Sequence, residues 1–114
     1  MVVSQGEIWW TAFPAPVKSG AGIRRPVVVV QCDSLNESDL DTVMCVPLTS
    51  NLKWALAPGN IRLTSGQTGL PKPSVALVCR PITVYKHLLL ERVSRLPRTK
   101  LDLVLSGIDV VLGR

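Results

Sequence analysis

The stretch that most constrains the fold is Arg24 to Cys32, which reads Arg-Arg-Pro-Val-Val-Val-Val-Gln-Cys. Four successive valines have no helical spacing, and in a strand they point alternately to both sides, so this element has to lie between two apolar layers. Pro26 leads the run in, and proline suits the first residue of a strand because a missing N–H is tolerated there. Arg24 and Arg25 then stand at the mouth of a rigid element. A guanidinium held in fixed geometry is how a phosphate site is built; the plainer reading is a pair of charges that keep a strand end in water.

The flanking segments read mostly as further strands. Gly6 to Phe13 is aromatic and β-branched between a glycine and a proline, with Ile8, Trp10 and Ala12 sharing one face. Pro14 to Ile23 carries two prolines and two glycines. It is too long for a tight hairpin, and serves either as a flap beside the arginines or as a plain connector. Asp33 to Asp41 is polar and predicts a short helical turn capped by Ser34 or Asn36. Thr42 to Leu48 returns as a strand that ends in Thr49-Ser50-Asn51, three small polar side chains where the pattern turns outward.

Asn60 to Leu63 predicts a short strand and Ser65 to Ser74 a turn region. Its Gly66-Gln67-Thr68-Gly69 lacks the Gly-Lys-Ser/Thr that a phosphate loop needs. Val75 to Val84 predicts a strand across the core, interrupted at Arg80-Pro81, and His87 to Val93 a last short one. From Pro97 the period changes: Leu101, Val104, Leu105, Ile108 and Val111 fall at helical spacing, bounded by Pro97 and Gly113. Gly107 inside this helix marks a close packing contact or a tolerated cost. The pattern predicts a mainly β fold, a small bent antiparallel barrel with a C-terminal helix, as one domain over 1–114.

Composition narrows the partners. The net charge is +5, and residues 58–114 carry nine Lys/Arg against three Asp/Glu, whereas residues 1–57 carry four against five. This points to a polyanion, nucleic acid or an acidic protein segment. Cys32, Cys45 and Cys79 are odd in number, widely spaced and set among apolar residues, as expected of reduced core thiols. No pair has zinc-knuckle spacing and His87 is the single histidine, so no metal or cofactor is expected. The opening Met-Val-Val-Ser-Gln-Gly-Glu has neither a basic nor a long apolar run, and a cytoplasmic protein off the membrane is expected.

Set in order, Gly6-Glu7-Ile8-Trp9-Trp10, a glycine-containing loop, Arg25-Pro26-Val27-Val28-Val29, Val46-Pro47-Leu48-Thr49-Ser50 and Gly69-Leu70-Pro71-Lys72-Pro73-Ser74-Val75-Ala76 resemble the MazF/PemK (Kid) family of toxin–antitoxin ribonucleases. The resemblance covers nearly the whole chain. It implies an SH3-like barrel that forms a homodimer, metal-free and sequence-specific cleavage of single-stranded RNA, messenger or transfer, and an antitoxin with an acidic, partly disordered tail. It also implies catalytic roles for Arg25 and Thr49, with Ser50 beside the threonine.

The expected chemistry is attack of the 2′-hydroxyl on its own phosphodiester, leaving a cyclic phosphate and a 5′-hydroxyl. The protein then supplies charge stabilisation and proton transfer. Many relatives carry an aspartate in the strand that here reads Val75-Ala76-Leu77-Val78-Cys79-Arg80, so the general base is open. His87 has suitable chemistry but follows Tyr85-Lys86 as a surface residue would, and Glu7 faces solvent or pairs with an arginine.

For RNA positioning the candidates are Lys18, Arg24, Ser50, Asn51, Lys53 and Trp54, the indole either stacking on a base or packing internally. Arg92, Arg95, Arg98 and Lys100 form a basic run suited to solvent or to an acidic antitoxin. Two alternatives stay open, a non-catalytic gyrase-inhibitor-like toxin and an RNA-binding barrel that cuts nothing.

Overall fold

The computed structural model describes residues 2–13 and 23–114; the segment 14–22, with the expected flap and Lys18, lies outside them. Strand β1 (Glu7–Phe13) pairs antiparallel with β2 (Ile23–Val29), and β2 pairs in turn with β3 (Thr42–Thr49). Between β2 and β3 lies the short helix α1 (Asp33–Asn36). The chain continues through a 3₁₀ segment (Leu52–Leu56), β4 (Ile61–Leu63), the one-turn helix α2 (Ser65–Thr68), β5 (Ser74–Ala76) and β6 (Ile82–Tyr85). A second 3₁₀ turn (Lys86–Leu88), β7 (Leu89–Arg95) and α3 (Arg98–Leu112) close it. The seven strands form one antiparallel sheet in the order β4-β5-β3-β2-β1-β7, with β6 added on β3. The expectation of a mainly β fold with a C-terminal helix holds.

The valine run dictates this arrangement. Val27, Val28 and Val29 are wholly buried. Val28 and Val30 join Ile8, Val46, Leu63 and Leu101 in one core cluster, while Val27 and Val29 join Trp9, Val43 and Cys45 in a second. β2 is thus the shared wall of two apolar layers. The sheet curls until α2 reaches β7, where the Ser94 hydroxyl donates to the Thr68 carbonyl. Helix α3 covers the first cluster with Leu101 and Val104, and Gly107 lies so close to Gly59 that a Cβ there would collide with the Gly59 carbonyl oxygen. Of the two readings of Gly107, the close contact is the one observed.

Four expectations are corrected. Pro26 does not open a strand, for β2 begins at Ile23 and Pro26 lies opposite Trp10. The ladder with β3 begins only at Val27↔Pro47, so Pro26 sits beside an edge without a partner strand, where a missing N–H is tolerated. Val75 to Val84 is not one strand. A turn closed by the Arg80 N–H on the Leu77 carbonyl splits it, so that β5 pairs with Leu48 and Thr49 and β6 with Thr42 to Cys45 of the same β3. Neither Ser34 nor Asn36 caps α1, whose N-cap position is Cys32 with no side-chain bond. The cysteines are not alike either: Cys45 is buried, Cys79 half-buried and Cys32 exposed.

Candidate active site

The parting of two strands makes the site. β2 and β3 are paired as far as Val27↔Pro47, after which Leu48 and Thr49 turn to Ala76 and Val75 of β5. Both strands carry a proline at the parting. The gap is an open cleft of about 310 Å3, lined by Arg24, Arg25 and Pro26 from β2 and by Leu48, Thr49 and Ser50 from the end of β3. Trp10 of β1 and Leu70, Pro71, Lys72 and Ser74 from the approach to β5 complete it. Among the described residues three cations and no carboxylate line one cleft that also has apolar lining, an arrangement that attracts an anion carrying an apolar part.

Arg25 and Thr49, distant in sequence, meet on this cleft. Arg25 is exposed, and among the described residues it has no carboxylate within salt-bridge distance. Among the described residues no side chain pairs with its donors. The Thr49 hydroxyl accepts the Asn51 N–H at 3.2 Å. That contact fixes the oxygen and leaves its own proton to be donated. Arg24 differs: its guanidinium binds Glu91 at 3.3 Å and lies 5.2 Å from the centroid of the Trp10 ring. Lys72 stands between two prolines, which stiffen the backbone carrying it, and its carbonyl accepts the Ser74 hydroxyl at 3.3 Å.

The remaining candidates fall elsewhere. Ser50 lines the cleft, whereas Asn51, Lys53 and Trp54 follow it in the chain and lie outside the lining. The Asn51 side chain instead caps the 3₁₀ segment through the Lys53 N–H. Trp54 is half-buried, with the Arg80 guanidinium 4.4 Å from its ring centroid. His87 is exposed and stacked on Tyr85, away from the cleft lining. Glu7 is buried and committed to structure, for its carboxylate accepts from the Ser4 N–H, the Trp9 indole and Arg92.

Of the thiols, burial pushes Cys45 up to about 12. Bonds from the Ser34 hydroxyl and the Leu35 N–H pull the exposed Cys32 below the ordinary thiol value. Neither lines the cleft. Among the described residues no three His, Cys, Asp or Glu side chains come together as a metal-holding group, and no helix is long and apolar enough to cross a membrane.

Sequence reasoning passed over Trp10, Leu70 and Lys72 as site residues. The signal for Lys72 was present, a lysine locked by prolines directly before a strand. Trp10 gave none, because which side of β1 faces the cleft depends on where β2 and β3 part.

A bent β-sheet with a cationic cleft at a strand parting, no carboxylate lining it among the described residues, is suited to an anionic partner. The chain belongs to the PemK-like, MazF-like toxins of type II toxin–antitoxin systems, matching that family over residues 4–112. It is 39% identical over 112 residues to Endoribonuclease MazF2 of Mycobacterium bovis, and equally so to Endoribonuclease MazF6 of Mycobacterium tuberculosis, covering 98% of this chain and of each relative. Its fold is similar to that of a Deinococcus radiodurans MazE-MazF crystal structure, with a TM-score of 0.81 at 22% identity over 99% of this chain and 97% of that one.

Proposed function

We propose that this chain is the toxin of a toxin–antitoxin pair and that it cleaves single-stranded RNA, using Arg25 and Thr49, by internal attack of the 2′-hydroxyl. The observation that carries the reading is the convergence of these two side chains on one cleft beside Lys72 and Arg24. As the 2′-oxygen bonds to phosphorus, negative charge grows on the non-bridging oxygens. The fork of Arg25 meets them with paired N–H donors, and the Thr49 hydroxyl adds a third. The bond from phosphorus to the 5′-oxygen then breaks and that oxygen takes a proton from water, giving a 2′,3′-cyclic phosphate and a 5′-hydroxyl. DNA, without the 2′-hydroxyl, is bound but not cut.

Among the described residues the lining holds no carboxylate or imidazole to take the proton that leaves the 2′-hydroxyl. The segment 14–22, Pro-Ala-Pro-Val-Lys-Ser-Gly-Ala-Gly, contains no Asp, Glu or His either. Solvent takes that proton. The rate is therefore expected to climb with pH across the neutral range without the bell shape of a side-chain acid and base. A bell-shaped profile would place a side-chain acid or base in the reaction.

The excess of positive charge suits both RNA and the acidic tail of an antitoxin. The protein acts as a homodimer in the cytoplasm, with Lys18, Asn51, Lys53 and Trp54 as further contacts for the RNA. Purified protein incubated with RNA in EDTA should yield cyclic-phosphate ends. An Arg25→Ala protein that cuts as fast as the wild type would overturn the mechanism. The missing carboxylate also favours a second reading, a barrel that binds RNA and leaves it intact; tight binding with unbroken RNA would establish it.

A further inference from the structure

We infer that the indole of Trp10 is the stacking floor for one unpaired base of the bound strand, and that Arg24 covers this floor until the strand arrives. The inference rests on the reading of the cleft as an RNA site, and it assigns a role within that site to a residue that neither catalyses nor holds phosphate.

The physical argument starts from the lining. Arg25, Lys72 and Thr49 suit a phosphate group, but a phosphate alone does not use the apolar surface of Trp10, Leu48, Leu70 and Pro71 that shares the same cleft. A nucleotide supplies both parts, a charged linkage and a flat apolar ring. Trp10 is half-buried and packs against the core cluster that contains Ile8 and Val28, so its ring is held in place before any ligand binds. A fixed aromatic face offers stacking without the entropic cost of ordering a mobile side chain.

Arg24 stands 5.2 Å from the centroid of that ring, a separation typical of two partners in contact and too small to admit a third ring between them. A base reaching the indole has to move Arg24 aside. The side chain is 55% exposed, and among the described residues its other tie is a surface ion pair with Glu91, itself 68% exposed. Such a pair is weak and easily exchanged for a phosphate. The guanidinium that leaves the indole is then positioned to meet the backbone of the same nucleotide, so one movement uncovers the base floor and delivers a cation.

The test separates base from charge. Wild-type, Trp10→Leu and Trp10→Phe proteins are titrated with oligo(dT) and oligo(dA) about ten nucleotides long, a length suited to one binding groove, and with a base-free deoxyribose-phosphate strand of the same length. These strands lack the attacking hydroxyl and stay intact. Trp10→Leu should weaken binding of the base-bearing strands by about 5- to 150-fold, the value of one stacked base, and leave the base-free strand unchanged, while Trp10→Phe retains most of the affinity. Retained binding of the base-free strand also shows that the variant is folded. Equal binding of all strands by Trp10→Leu and wild type, or an equal loss on base-bearing and base-free strands, overturns the inference while RNA cleavage by the wild type leaves the cleft reading standing. A wild type that neither cuts RNA nor binds any of these strands removes both.

Discussion

Trp10 carries the Arg24 guanidinium at 5.2 Å within the cleft, whereas Trp54 carries that of Arg80 at 4.4 Å outside its lining. The two pairs share their chemistry and differ in what surrounds them. Trp54 belongs to a 3₁₀ segment whose backbone is tied to Asn60, and Asn60 in turn accepts the Cys79 N–H from the turn that carries Arg80. The stack is a second tie, beside the Cys79–Asn60 bond, between this segment and that turn. Trp10 sits where two strands have parted, and among the described residues the further tie on its arginine is an exposed carboxylate. One region spends its side chains on holding loops together, while the other leaves donors unspent beside an opening. Substitutions should accordingly split into those that lower activity at constant stability and those that do the reverse.

The largest effect belongs to the cleft. On the proposed mechanism Arg25→Ala removes a donor fork from the developing charge, and loss of one such donor costs about 10²–10³ in kcat. Thermal stability should hardly move, because Arg25 is exposed and among the described residues makes no salt bridge. Arg25→Lys restores charge but not the planar fork and should recover only part of the rate. A large fall in Tm for either variant would mean that the cleft arginine is a structural strut, and the contrast between the regions would fail.

Next is Gly107→Ala in α3. Alanine gains about 1 kcal/mol of helical propensity over glycine, yet overpacking costs about 1–3 kcal/mol. The atom in the way is a backbone oxygen of Gly59 and has no flexible end to give. Overlap should win, with Tm lowered by several degrees in calorimetry and the cleavage rate of the folded fraction unchanged. A rise in Tm would show that α3 slides on its bed with little resistance.

That glycine also shows what a sequence can and cannot disclose. Periodicity found β1, the buried valine strand and α3, because each is long enough for its pattern to outweigh local accidents. It left open whether Gly107 was a contact, since Gly59 approaches it only through tertiary packing. Helix α2 was legible and passed over: Thr64-Ser65-Gly66-Gln67 is a capping-box pattern, and both of its bonds form. The break between β5 and β6 was read as an interruption of one strand, because a proline signals a fault but not that the chain changes its pairing partner. At the site, Arg25 and Thr49 came from an ordered family resemblance. Trp10 was missed because the cleft exists only where two registers end, a property of three strands together, whereas Lys72 between its two prolines was legible and passed over.

Arg80→Ala tests the structural stack. Removing the guanidinium from the Trp54 face should cost about 0.5–1 kcal/mol, the usual value at an exposed site. Denaturant midpoint reports the loss, and cleavage should stay at the wild-type rate. A marked loss of activity with unchanged stability would instead make Arg80 a contact for the RNA beyond the cleft.

The smallest effect expected is that of Glu91→Gln, and its sign is informative. Glu91 competes with an RNA phosphate for Arg24, so its neutral analogue should let the guanidinium leave the indole more readily and tighten binding. An exposed ion pair is worth about 0.2–1 kcal/mol, which limits the gain to roughly fivefold. Salt screens exposed charges over about 8 Å at physiological ionic strength and over about 3 Å at 1 M, so the gain should shrink as salt is added. Affinity for a base-bearing deoxy strand at low and high salt measures both. Weaker binding by Glu91→Gln would mean that the carboxylate aims Arg24 into the cleft, and the loose stack would then resemble the tight one in function as well as in chemistry.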